Sequence, residues 1–317
     1  MSRRTRSSVA VALAMVVGAG ADLLTTALAT GATGQPPTGR IAYSTYEVDL
    51  SKNPPSTQNV YTSTPAGTDT RLVARDATDP VWSRDRRWLA YVRHYRQIWR
   101  VRADGTGHRR VSPADHHAST PAWSPDGKRL AYSRAWEVMV DGYPEDRSAV
   151  YIVRRNGTGA RRLHKRPNGY GPAWSADGQL IAFNRRGSVS VIAPDGARLR
   201  TVRHDVNPHQ LDFSPSGRKL VFRDLATRRG AVRVLDLPTG RLSTIPETAL
   251  GGRPGGVTWT PDGRRLAFLL PHWVTDGPIT RVDAVELYTI RPNGTARRQL
   301  ATLRQDVMSW EGLSWGP

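Results

Sequence analysis

Short runs in which apolar and polar residues alternate recur along the chain: RLAYSR (129–134), LIAFNR (180–185), KLVFRD (219–224) and RLAFLL (265–270). Alternation with period two is the pattern of a strand, because successive side chains of an extended backbone point to opposite faces. Each run follows an aromatic residue and a turn signal. The copies read Trp82-Ser-Arg-Asp85, Trp123-Ser-Pro-Asp126-Gly127, Trp174-Ser-Ala-Asp177-Gly178, Phe213-Ser-Pro-Ser-Gly217, Trp259-Thr-Pro-Asp262-Gly263 and Trp315-Gly-Pro317. In such a turn Pro presets φ, Asp bonds its own backbone and Gly takes a positive φ. The aromatics are spaced by 41, 51, 39, 46 and 56 residues. Repeats of ~40–50 residues built from short strands mark propeller blades. The recurrence of these aromatics and of the turn aspartates in copy after copy assigns them to packing and turns.

The rest of each copy fits the same scheme. A third strand, such as AVYIVR (149–154) or ELYTIR (286–291), leads into a second turn of the Asn-Gly or Asp-Gly kind. These turns, Asp104-Gly105, Asn156-Gly157, Asp195-Gly196 and Asn293-Gly294, are strong hairpin signals. A fourth strand follows, as in ARRLH (160–164) or ARRQL (296–300). The last copy supplies only a first strand, Leu313 to Trp315. Its missing strands stand near the N-terminus: RIAYST (40–45), NVYTST (59–64) and TRLVAR (70–75), with Ala66-Gly67 as the turn. Pairing them predicts an all-β, six-bladed β-propeller of four-stranded antiparallel blades over residues 39–317. Closing the ring through the C-terminal strand removes the free sheet edges that an open array would expose.

This grammar closely resembles the TolB-type (WD40-like) β-propeller repeat of exported bacterial proteins, and the resemblance covers roughly residues 39 to 317. It implies the fold and says little about activity, since one fold hosts many functions. Fewer than 40 residues precede the first strand, so the α/β domain of TolB itself is not expected here. The hydrolase domain that some peptidases place beside similar propellers is not expected either.

Before the repeats, Arg3, Arg4 and Arg6 precede a short apolar stretch, Val9 to Val17, and then small residues. This reads as a secretory signal peptide over 1–29, cleaved after Ala21 or Ala29, with a flexible leader over 30–38. A retained membrane anchor is the alternative. Asp22 interrupts the apolar stretch and leaves it short of the ~20 residues of a spanning helix. The expected location is extracellular, cell-wall associated or periplasmic. There is no Cys, which excludes disulfides, thiol catalysis and Cys-based zinc sites.

The net charge is +19, and only four of the 46 basic residues are Lys. Two readings stand: attraction to an anionic cell-wall polymer or membrane surface, or a coding bias toward Arg. The basic residues concentrate in first turns (Arg86-Arg87, Lys128-Arg129, Arg218-Lys219, Arg264-Arg265) and fourth strands (Arg109-Arg110, Arg161-Arg162, Arg297-Arg298). Nucleic acid is disfavoured, because the chain is expected to be exported and has no recognition element.

No nucleophile elbow, His-Glu-x-x-His motif or phosphate-cradling Gly-rich loop occurs, and no cofactor is expected. Six of the eight His fall in connections on one face: His94, His116, His117, His204, His209 and His272. Of these His116, His117, His209 and His272 are the metal-ligand candidates, against the reading of plain surface histidines. The related oligogalacturonate lyases resemble this repeat and hold a metal through propeller histidines, which keeps a metal-assisted polysaccharide lyase or hydrolase as an alternative. Asp212 replaces a small residue on an inner strand and is a candidate to face the channel. That same face carries three insertions, 46–57, 134–148 and 271–284, read as long variable loops. They hold Tyr46, Glu47, Trp136, Glu137, Asp141, Tyr143, Trp273 and Asp276. Aromatics among carboxylates on loops over a rigid scaffold point to binding of an envelope or extracellular protein or peptide. The expected function is therefore a non-catalytic binding propeller, with adhesion to the cell wall through the basic face as a further alternative.

Overall fold

The computed structural model describes residues 39–48, 56–165, 168–227, 230–276, 279–305 and 312–316, with backbone alone at 46–48, 56–57, 276, 279–281, 283 and 304–305. The expected signal peptide and leader lie outside the described residues. Each copy of the repeat forms one four-stranded antiparallel sheet, and there are six such sheets among the described residues. Blades are numbered here in chain order, and their strands from the inside outward.

Blade one takes its first strand from Leu313–Trp315 and the others from Ile41–Val48, Ser56–Ser63 and Arg71–Arg75. Blade two runs through Ala77–Trp82, Trp88–Arg93, Gln97–Arg102 and Arg109–Arg110. Blade three comprises His117–Trp123, Arg129–Val140, Tyr143–Arg154 and Arg161–Arg162. Blade four has Gly169–Trp174, Ile181–Arg185, Val189–Ile192 and Arg200–Arg203. Blade five has Pro208–Phe213, Lys219–Asp224, Ala231–Asp236 and Leu242–Ile245. Blade six has Val257–Trp259, Leu266–Asp276, Ile279–Ile290 and Arg298–Gln305. The closure follows the sequence expectation: Ile41 pairs with Trp315 and Tyr43 with Leu313.

The repeated aromatic has a physical job at the seams. The buried apolar residues form six clusters, one at each junction between neighbouring blades. Trp82, Trp123, Trp174, Phe213, Trp259 and Trp315 each enter the cluster shared with the preceding blade. Trp123 also donates its indole N–H to the carbonyl of Val81 in that preceding blade, at 3.1 Å. One wedge per blade explains why the aromatic recurs at blade spacing.

The turn that follows the aromatic is a small closed network. The Ser83 hydroxyl donates to Asp85 at 2.6 Å and accepts the Trp88 amide at 3.0 Å, while Asp85 accepts the Arg87 amide. Asp126, Asp177 and Asp262 accept a hydroxyl at the same 2.6 Å from Ser124, Ser175 and Thr260. In blade five Ser216 stands in the Asp position. There the hydroxyl contact to Ser214 lengthens to 3.1 Å and the Arg218 amide sits 3.4 Å away.

Candidate functional site

The first strands of all six blades line a central channel. At the end bearing the first turns it widens to a cavity of about 270 Å³, bordered by the motif aromatics. Toward the other end lies a chamber of about 140 Å³, bordered by Asp79, Thr120, Tyr170, His209 and Gln210 among others. Asp212 lines both, so this carboxylate does face the channel. It accepts the Thr258 hydroxyl at 2.7 Å and the Trp259 amide at 2.9 Å, tying blade five to blade six. Burial pushes its carboxyl above the usual value, and those donors only partly oppose the shift. Ser314, at the equivalent position of blade one, accepts the Trp82 amide of blade two at 3.0 Å.

At the second chamber the first strands share a backbone irregularity. Asp79, Thr120 and Gln210 have φ near +50°, and Gly171 and Gly312 are also left-handed. These are the equivalent positions, three residues before the motif aromatic, in five of the six blades. Register shifts mark the spot in blades two to five. A β-branched residue such as Thr120 adopts this conformation only at a cost. Its hydroxyl lies 2.6 Å from that of Ser133, which also accepts the Gly171 amide of blade four at 2.8 Å.

The same face carries the insertions, and here the sequence expectation of variable loops is corrected: the described residues 46–48, 56–57, 134–140, 143–148, 271–276 and 279–284 are strands. In blade three the second and third strands stay paired from Arg129↔Arg154 to Val140↔Tyr143. The reversal is made by Asp141 and Gly142 alone, both at positive φ, as a two-residue hairpin turn requires. Blade six extends likewise, with pairing out to Asp276↔Ile279, and blade one pairs out to Val48↔Ser56. The burial of Trp136 to Val140 alternates along the strand, and the signal present in the sequence was the Asp141-Gly142 turn that follows the apolar run Val138-Met139-Val140. The extended hairpins are called fingers below.

No protein-family model matches the chain. Among curated proteins, "Uncharacterized protein Atu1656" of Agrobacterium fabrum is 30% identical over 167 residues, 46% of this chain and 53% of that protein. A "Protein TolB homolog" of Chlorobium luteolum is 25% identical over 154 residues, covering 46% of this chain and 33% of the homolog. The matched stretch thus spans about half of the first relative and a third of the second. Among solved structures, TolB from Acinetobacter baumannii superposes with a TM-score of 0.63 at 16% identity, over 88% of this chain and 67% of that one. The fold of this chain is that of a TolB-type propeller. An oligogalacturonate lyase in complex with manganese shares the fold at a TM-score of 0.52 and 14% identity, over 83% of this chain and 78% of the lyase.

On this TolB-type propeller the binding candidates are distributed over three fingers. Finger three presents Tyr143 and Met139, exposed at 76% and 66%, and finger six presents Trp273 at 55%. Met139 escaped the sequence reading because an isolated Met carries no motif. Trp136 is half-buried, its ring flanked by the guanidinium groups of Arg134 at 5.8 Å and Arg162 at 5.4 Å. Glu137 lies directly opposite Asp146, a like-charge pairing that costs stability. Glu145 is ion-paired with Arg147 at 2.6 Å. Tyr46, Glu47 and Asp276 sit on finger strands opposite Gln58, Thr57 and Ile279, and their side chains lie outside the described residues.

The histidines scatter. His116 is buried, its Nδ1 2.8 Å from the Tyr132 hydroxyl and its ring edge-on to Tyr151. Burial and the nearby Arg134 hold it below the usual imidazole value. His117 and His272 are exposed on separate blades, and His209 borders the smaller chamber. Among the described residues no group of three or more His, Asp or Glu is placed to hold a metal ion. No described helix is long and apolar enough to cross a membrane.

Proposed function

We propose that this protein is an exported, non-catalytic binding propeller that receives an envelope or extracellular protein, or a peptide, on the face bearing the fingers. The observation that carries the reading is finger three: a two-stranded ribbon standing beyond the seam core, with Tyr143 and Met139 exposed at its end. Two-stranded ribbons are marginal by themselves, and neighbouring exposed apolar side chains, such as Tyr143 and Met139 across one turn, mark interaction sites. The opposed carboxylates of Glu137 and Asp146 favour a partner that brings positive charge to the ribbon. The left-handed ring at the adjacent chamber adds a second concave element to the same face. The TolB names among the relatives support an envelope setting.

The test is site-specific photo-crosslinking from position 143 and, as control, from position 128 on the opposite face, in cells that make the protein. A defined adduct from 143 and none from 128 is expected. Met139→Ala and Trp273→Ala should abolish the adduct from 143 while changing stability by less than about 0.5 kcal/mol, as for surface substitutions. Identical adducts from both positions, or none from 143, would overturn the reading.

A further inference from the structure

We propose that the seam between blades two and three carries, around Trp88, a binding site for phosphate-type oxyanions borne on a polymer. Trp88 stands where the later blades place Arg129, Leu180, Lys219 or Arg265, just before the apolar run of the second strand. Its ring packs partly buried against the core cluster of that seam. Three guanidinium groups converge on it: Arg100 at 4.1 Å, Arg155 at 4.9 Å and Arg102 at 5.7 Å from the ring centre. All three fall inside the ~6 Å at which a cation feels the ring's quadrupole. Arg100 also lies directly opposite Arg109 on the fourth strand.

These groups are positioned rather than merely near each other. Arg100 donates through Nε to the carbonyl of Arg155 at 3.0 Å, and Arg155 donates through Nη1 to the carbonyl of Gly127 at 3.3 Å. Each guanidinium keeps further N–H groups in its planar fork for another acceptor. Among the described residues none of the four arginines is ion-paired to a carboxylate. Asp104, the carboxylate that feels Arg102, is occupied by the amide and hydroxyl of Thr106. Burial, then Arg155, Arg109 and Arg102, hold Arg100 below the usual guanidinium value. Three guanidinium groups gathered on one indole, with Arg109 opposite one of them, have no carboxylate ion pair among the described residues, and an oxyanion with several acceptor oxygens supplies one through paired N–H···O bonds.

The surroundings favour a polymer over a lone ion. Arg110 and Arg161 are exposed on the outer strands of blades two and three. At the next seam the arrangement is echoed, with Arg129 over the Trp174 ring at 5.2 Å. A chain of repeated phosphates can engage these positions together, and releases counterions as it does so.

The experiment measures binding of the full chain to inorganic polyphosphate, to orthophosphate and to phosphatidylglycerol vesicles, over a range of salt. Polyphosphate is expected to bind, and orthophosphate to displace it at higher concentration. Arg100→Gln/Arg155→Gln should weaken polyphosphate binding at least about tenfold and lower the salt slope by about two. Arg218→Gln/Lys219→Gln, an equal loss of charge on blade five, should change it less than about twofold by the same arithmetic of contacts. Arg100→Lys keeps the charge and loses the fork, so it should weaken binding at an unchanged salt slope. Equal losses in the seam and blade-five variants would overturn the site, as would full binding by Arg100→Lys. Binding of vesicles or orthophosphate without polyphosphate would overturn it too.

Discussion

The two faces of this propeller are built on opposite rules. On the face of the first turns, four blades repeat one hydrogen-bond network with the same 2.6 Å hydroxyl–carboxylate contact. On the finger face, blades one, three and six extend their middle strands by different lengths, and blade four stops its hairpin at Arg185 and Val189. The strand Arg129–Val140 shows both rules within twelve residues. Its residues Leu130 to Ser133 are buried, clamped between neighbouring blades; from Arg134 onward half-buried and exposed positions alternate. The difference teaches where stability resides. Wherever a neighbouring sheet covers both sides the sequence repeats, and wherever the chain leaves the seam it diverges.

Substitutions should separate the two rules, most strongly at the seams. Trp315→Ala removes the wedge of the closing strand and should cost about 3–5 kcal/mol, the range for a buried Trp truncated to Ala. Denaturant unfolding would measure it, and a loss under about 1 kcal/mol would mean that the closing strand carries little of the ring. Asp212→Asn probes the channel between the faces. Because burial holds the folded carboxyl above its ordinary value of 3.8, the folded state binds protons more readily than the unfolded one. Stability then falls as pH rises from about that value through the folded pKa. The substitution should flatten this decline, gaining stability at pH above the folded pKa and not below the unfolded one. Melting curves across acidic pH check the sign, and a decline unchanged in the variant would refute the assignment. The smallest effect belongs to Ser216→Asp, which restores to blade five the acceptor of its sister turns. A gain of about 0.5–1 kcal/mol is expected for one improved hydrogen-bond network.

Most of the scaffold was legible in the sequence because it rests on local chemistry that recurs, the aromatic six times and the hydroxyl–carboxylate turn in four blades. Trp-Ser-x-Asp specifies a wedge and a closed turn with residues that touch each other within a few positions. The closing strand was legible through arithmetic, since a lone first strand needed three partners. The fingers were misread as loops because their residues do not alternate in polarity: Val138 to Val140 are all apolar, and Glu145 to Ser148 are all polar. The left-handed ring was hidden for a different reason. Gly171 and Gly312 hinted at it, but Asp79, Thr120 and Gln210 are held there by register shifts that no single residue type announces. The arginine seam needed three dimensions, as Arg155 reaches Trp88 from another blade.

The pairing of Ile41 with Trp315 sets an order of events during synthesis. Strands from 41 to 75 come first in the chain, and their inner edge stays bare until Leu313–Trp315 joins them. Contacts between such distant segments form slowly, and a bare strand edge invites pairing with other chains meanwhile. Until that pairing is made, ring closure competes with association between chains at the bare edge.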